Sequence, residues 1–246
     1  MKYNTETRNY LLFHRVLKSK KEIIKNEDID LEFFEEILNY IQKFNRINNF
    51  KNSHIIPTFD DGNLSDFELV LNELKKRNLY SYFFIVPKLI GTKNYLTWDK
   101  VISLRNNKMI IGSHSFSHKN LTMCSQNSAK YEMEKSKEII ENNLNEKIDS
   151  FSFPFGDFNM NLIRLAKNLG YEKIFTSRHG ISYNKDKYLK RNSLNKNLTI
   201  IDAKKIIDAK YLIKLKWLLE DNIKYPLRKL IGKENYLHLR LLLTKR

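Results

Sequence analysis

The sequence predicts an α/β fold on a mainly parallel sheet, curled into a barrel. Three observations predict it. Short apolar runs of strand length alternate along the chain with stretches whose apolar residues recur at helical spacing, the rhythm of repeated βα units joined by right-handed crossovers. His14, Asp60, Asp61, His114 and Pro154 each come directly after such an apolar run, which puts them at strand carboxyl ends, where α/β barrels gather their chemistry. The length of 246 residues suits one barrel domain, with no low-complexity linker or internal repeat to divide it.

The elements follow in order. Tyr10-Leu11-Leu12-Phe13 reads as a first strand, and Leu31, Phe34, Ile37, Leu38, Ile41 and Phe44 as one face of a helix. Ile55 to Phe59 is a second strand, followed by a helix carrying Leu64, Phe67, Val70, Leu71 and Leu74. Tyr80 to Val86 is the third strand, and Trp98, Val101, Ile102 and Leu104 form a short helix. Met109 to Ile111, Phe151 to Phe153 and Glu172 to Thr176 complete the strands, with helices near Tyr131 to Leu144 and Leu162 to Leu169 between them.

Composition narrows the setting. The single cysteine, Cys124, rules out an internal disulfide framework and a cysteine-only zinc cage, and reads as a small buried hydrophobe. The polar N-terminus lacks the apolar core of a secretory signal, and no stretch approaches the roughly 18 apolar residues of a spanning helix. The expectation is a cytoplasmic protein, with a peripheral position on the inner membrane face as its variant. The net charge of +16 is uneven: from residue 203 to 246 there are twelve Lys and Arg against four Asp and Glu, half of the excess.

Two motifs carry chemistry. Thr58-Phe59-Asp60-Asp61-Gly62 supplies adjacent carboxylates and His114-Ser115-Phe116-Ser117-His118 two imidazoles four apart, a spacing that puts both on one face if the segment is helical. His114, His118 and one of Asp60 or Asp61 make three ligands for a divalent ion, leaving positions for water and substrate. The second carboxylate remains free to accept a proton.

These residues resemble the polysaccharide deacetylases, the carbohydrate esterases that share the NodB homology domain. Thr58 to Gly62 is similar to their first motif and His114 to His118 to their second, with Leu96-Thr97-Trp98 and Gly112-Ser113 fitting the approach to it. Phe153-Pro154-Phe155-Gly156 resembles the third, part of the groove wall. Leu11-Leu12-Phe13-His14-Arg15-Val16 resembles the opening strand of the circularly permuted branch typified by poly-N-acetylglucosamine deacetylases, in which the catalytic histidine comes first. The usual C-terminal Leu-His motif has no counterpart, since Leu237-His238 sits in a basic helical stretch.

The resemblance spans residues 9 to 192 and implies a distorted (β/α)7-type barrel, to which the residue pattern adds C-terminal basic helices. It implies Asp61, His114 and His118 as metal ligands, Asp60 as general base and His14 as general acid. Zinc is the implied ion, with Co, Mn or Ni as alternatives, and the implied substrate is an N-acetylated polysaccharide, oligosaccharide or lipid-linked precursor. The backbone N–H of Phe155, between Pro154 and Gly156, is the implied oxyanion donor. Two departures stand out. Many members carry Arg where this chain has Ser152, and Arg191, after Tyr188-Leu189-Lys190, is the candidate to supply that cation instead. The tryptophan-bearing fourth motif has no match in Thr176-Ser177-Arg178-His179-Gly180; His179 reads as a loop residue and His54 as a strand-start residue.

Residues 1–202 are thus expected to form the catalytic domain and 203–246 a basic amphipathic extension. Ile206, Ile207, Leu212, Leu215, Leu218 and Leu219, with Trp217 and interleaved lysines, form one stretch, and Leu227 to Arg246 continues it after Pro226. The extension either packs on the barrel or docks on an anionic membrane surface. Nucleic-acid binding rests on charge alone, with no motif or aromatic platform. Sequence leaves three function classes open: a metal-dependent N-deacetylase, an O-deacetylase or other metalloenzyme on the same ligands, and a non-catalytic carbohydrate- or membrane-binding module. It does not fix the oligomeric state.

Overall fold

The computed structural model describes residues 6–48 and 53–232. In chain order the elements are β1 (Thr7–Phe13), β2 (Val16–Leu17), β3 (Ile29–Asp30), α1 (Leu31–Asn48) and β4 (Ser53–Asp61). A π-helical turn, Asp66–Val70, leads into α2 (Leu71–Lys76), then β5 (Tyr82–Ile85), α3 (Trp98–Asn106), β6 (Ile110–Ser113) and α4 (Gln126–Leu144). The chain continues through β7 (Ser150–Ser152), α5 (Met160–Asn168), β8 (Lys173–Phe175), β9 (Ser182–Tyr183), β10 (Arg191–Ser193), α6 (Ile200–Ile207) and α7 (Tyr211–Ile231).

Seven parallel strands lie in the order β10-β1-β4-β5-β6-β7-β8, with β9 antiparallel on β1 and a separate two-stranded ribbon of β2 and β3. The sheet curls until its ends meet. Phe175 of β8 forms a parallel bridge with Leu189, just before β10, through Leu189 N–H to the Ile174 carbonyl at 2.7 Å and Thr176 N–H to the Leu189 carbonyl at 2.9 Å. The result is the distorted barrel that the resemblance implies.

Alternation along each strand sorts side chains into two cores. Leu11, Phe13, Ile55, Phe59, Phe83, Ile85, Ile111, Phe151 and Ile174 point outward and join the large core under the helices. α1 meets it with Phe34, Ile37, Leu38 and Ile41, the spacing of a single helical face. Residues one position away point into the barrel, where Tyr10, Ile56, Tyr82, Phe84 and Phe175 form an aromatic plug. Phe175 lies 4.9 Å from Tyr10, 5.0 Å from Tyr82 and 4.9 Å from Phe84, ring centroid to centroid.

That plug fills the lower barrel and leaves the carboxyl ends of the strands for polar groups. Gly112 makes room for it: a Cβ there would lie 2.7 Å from two atoms of the Phe84 ring. The expected domain boundary after residue 202 falls inside α6, whose Ala203 and Ile207 belong to the main core. α7 runs as one helix through Pro226. Among the described residues no helix is long and apolar enough to cross a membrane.

Candidate active site

β4 ends in Asp60 and Asp61, and strand geometry alone would point these neighbours to opposite faces. Asp60 continues the inward set of Ile56 and Thr58 and is buried. Asp61 leaves the strand conformation, with φ at +79°, and Gly62 follows at +72°. This left-handed turn brings the second carboxylate back toward the barrel mouth. The Gly62 position is costly for any other residue, since an added Cβ would also come within 3.3 Å of Ile85 Cδ1.

The two histidines arrive by a loop. His114 directly follows β6 and His118 comes four residues later, but the intervening segment is not helical: Ser115 and His118 have φ of +60° and +59°. The one-face helical reading of their spacing is therefore corrected; two left-handed residues fold the loop so that the rings lie 5.0 Å apart. Glu132, buried on α4, holds this loop. Its carboxylate accepts from Ser117 N–H at 2.8 Å and Ser117 Oγ–H at 2.6 Å, its backbone carbonyl accepts from Phe116 N–H, and Lys119 Nζ lies 3.3 Å away. The Ser115 hydroxyl accepts from His118 N–H at 3.1 Å.

His114 Nδ1 lies 2.8 Å from the Ser152 carbonyl, an acceptor that keeps the proton on Nδ1 and leaves the Nε2 lone pair toward the carboxylates. Burial pushes its pKa down to about 4 against the opposing pull of Asp60 and Asp61, so the ring is neutral at neutral pH. Asp61 Oδ1 lies 3.6 Å from His114 Nε2 and 3.2 Å from His118 Nε2, and among the described residues no donor meets it in hydrogen-bond geometry. One ligand atom from each of Asp61, His114 and His118 lies within 4.8 Å of the others. An orphaned carboxylate oxygen facing two imidazole nitrogens, one of them set by a carbonyl behind it, fits a divalent ion.

Asp60 has a different environment. Arg191, fully buried at the start of β10, grips it with both arms: Nη1 to Oδ1 at 2.6 Å and Nη2 to Oδ2 at 2.8 Å. Nη2 also donates to Ser152 Oγ at 2.8 Å, Nε to the Thr176 carbonyl at 3.2 Å, and the guanidinium sits 5.4 Å above the Phe84 ring. Burial alone would raise the Asp60 pKa, but Arg191, His114 and His14 outweigh it and hold the carboxyl below its usual range. Asp61 is likewise held low against burial by His118, His114 and His14. Ser152 on β7 is small enough to admit this guanidinium, which comes from β10 on the far side of β8.

His14 follows β1, half-buried and near enough to both carboxylates to help hold their pKa values down, and among the described residues its buried Nδ1 has no hydrogen-bond partner. Behind it, Asp28 takes both arms of Arg15, at 2.9 and 2.7 Å, and the Lys25 N–H, tying down the loop that leaves the site. Phe155 adopts φ of +60° between buried Pro154 and Gly156, and its half-exposed ring lies 4.7 Å from that of His118.

The other candidates lie elsewhere. His54 is near the start of β4, at the opposite end from Asp60, and His179 stacks on Trp217 at 6.3 Å. Cys124 is half-buried at the core edge, less enclosed than expected, and His238 lies outside the described residues. Glu132 and Asp66 were missed by sequence reading. The spacing of Ala129, Glu132, Met133 and Ser136, all buried on α4, marks Glu132 as facing inward, a signal readable in the sequence.

The sequence profile of the polysaccharide deacetylases matches residues 47–174. The YxkH protein of Bacillus subtilis (strain 168) is 27% identical over 126 residues, 51% of this chain and 45% of that protein, so the chain spans about half the length of the curated relative it matches. Among solved structures, the deacetylase PplD of Streptococcus pyogenes superposes with a TM-score of 0.72 at 19% identity, over 81% of this chain and 97% of that one. The de-N-acetylase of Aggregatibacter actinomycetemcomitans gives 0.69 at 18%, over 81% and 99%, and IcaB of Ammonifex degensii 0.64 at 18%, over 78% and 93%. These superpositions establish the shared fold. His14 and Arg191 lie on either side of the profile match, and the barrel closes them onto it. The profile covers more than half of the sequence, and the chain belongs to the polysaccharide deacetylase family.

Proposed function

We propose that this chain is a metal-dependent hydrolase that removes N-acetyl groups from sugar residues of a polysaccharide, oligosaccharide or lipid-linked glycan. The observation that carries this reading is the division between neighbouring carboxylates. Asp61 offers His114 and His118 an oxygen that has no hydrogen-bond partner among the described residues, while Asp60, also 3.6 Å from His114 Nε2, has both oxygens gripped by Arg191.

Asp61, His114 and His118 would hold the ion. A divalent cation there supplies Lewis-acid polarisation and lowers the pKa of a bound water, and zinc suits a set of two imidazoles and one carboxylate. Asp60 accepts a proton from the attacking water as the C–O bond forms. The Phe155 N–H donates to the charge developing on the acetyl oxygen. His14 gives a proton to the sugar nitrogen as the C–N bond breaks, since an amine leaves poorly unprotonated. The products are acetate and a free amino sugar.

The test is acetate release from a panel of N-acetylated oligosaccharides and lipid-linked sugars, before and after chelation and after reloading with Zn, Co, Mn or Ni. Acetate together with a free amine, abolished by chelator and restored by one of these ions, is the expected result. Asp60→Asn should keep its metal while turnover falls by about 10²–10⁴, the range for a general base. Acetate released only from O-acetylated sugars, or full turnover by Asp60→Asn, overturns the assignment.

A further inference from the structure

A surface helix ordinarily turns its apolar side to the protein and its polar side to water. α7 also carries large apolar side chains on the side away from the protein. Trp217 is buried with its ring against His179, which fixes the side of the helix that faces the body. At about 100° per residue, Leu215, Leu218, Leu219, Ile223 and Leu230 fall within about 140° of the helix surface, centred opposite Trp217. All are exposed, from 39% for Leu215 through 60% for Leu218, 63% for Leu219 and 62% for Ile223 to 84% for Leu230. Exposed Lys214 and Lys216 lie one on each flank, between the stripe and the body.

From this arrangement we propose that the outer face of α7 docks on an anionic lipid bilayer, with the helix lying in the plane of the interface. The pattern of an apolar stripe bordered by lysines is that of an interfacial helix, whose leucines enter the acyl boundary while the lysine heads reach the phosphates. The helix carries too much charge to span a bilayer. Charge also selects among occupants. Residues 203–246 carry a net +8, complementary to acidic headgroups. A second copy of the chain on the same stripe would oppose one +8 segment to another. The sequence continues past α7 in the same character, with Leu237, Leu239, Leu241, Leu242 and Leu243 among His238, Arg240, Lys245 and Arg246. This docking is independent of the deacetylation reading.

The experiment is flotation of the full chain with vesicles of phosphatidylcholine alone or mixed with phosphatidylglycerol, at low and high salt. Binding is expected only with the anionic vesicles and should weaken as salt screens the lysines. Lys214→Gln and Lys216→Gln should each lower the partition coefficient about five-fold. The doubly substituted Leu218→Ser/Leu219→Ser protein should lose binding, and so should a second, independent pair, Ile223→Ser/Leu230→Ser, with unchanged circular dichroism because none of these side chains is in the core. Absence of binding to anionic vesicles, or unaltered binding by both serine pairs, overturns the proposal. So does a dimer in solution that the serine pairs dissociate without any vesicle binding, which would make the stripe a self-interface.

Discussion

Asp60 and Asp61 share a side-chain type, a strand end and a neighbour, His114, whose Nε2 lies 3.6 Å from each, yet a buried guanidinium grips only Asp60 and His118 approaches only Asp61. Removing Arg191 tests that difference. Arg191→Ala leaves the Asp60 anion buried and unpaired, and the expected cost is about 3–5 kcal/mol in urea unfolding. The Asp60 pKa, now held low, should rise once burial loses its main opponent, moving the acid limb of kcat/KM to higher pH. An unmoved acid limb in the folded variant would separate Asp60 from the rate. Asp66 shows the opposite case. It is fully buried, among the described residues no donor meets its carboxyl oxygens in hydrogen-bond geometry, and burial, with Asp61 adding repulsion, raises its pKa well above the usual carboxylate value. The folded state therefore binds the proton more tightly than the unfolded chain, so stability falls as pH rises from about 4 through the folded pKa. Asp66→Asn should remove that slope and stabilise the protein at neutral pH by about 1–3 kcal/mol. Urea midpoints at acidic and neutral pH that run parallel to wild type would contradict this.

The loop from His114 to His118 is an element with little internal support, and two left-handed residues strain it. Its geometry is set by α4 through Glu132, which holds the Ser117 amide and hydroxyl from a buried position. Glu132 is therefore a positioning residue. Glu132→Ala should weaken zinc binding by about 10–100-fold in calorimetric titration of the metal-free protein, the usual scale for groups that orient ligands. Glu132→Gln, which keeps one acceptor oxygen, should lose less; equal affinity in all three proteins would leave the loop geometry independent of α4. The same scale shows where sequence reading succeeds and stops. β1, β4 and β5 are legible because their residues are apolar on both faces, as a strand covered by helices outside and packed against a plug inside requires. β10, Arg191-Asn192-Ser193, has no apolar residue, and no periodicity marks it as a strand. Its pairing with β1 and the closing bridge at Leu189 define it.

At the scale of the molecule, a site whose ligands come from β4 and the loop after β6 couples ion binding to the fold. An ion that binds only the native state at 100 times its Kd should stabilise the protein by about 2.7 kcal/mol. Thermal scans with zinc and with chelator should show that shift, and His118→Ala should abolish it; a wild-type melting temperature indifferent to chelator would count against a native metal site. The sequence by itself determined the βα rhythm, the barrel class and the residues collected at its mouth, because apolar runs ending in Asp, His or Pro are written in consecutive positions. Only the tertiary structure decided that Arg191, a candidate in the sequence, grips Asp60, how the two carboxylates are divided and which face of α7 meets solvent. Those outcomes depend on contacts across the barrel, between residues as far apart as the 131 positions separating Asp60 from Arg191, and no local pattern of hydrophobicity encodes a contact at that distance.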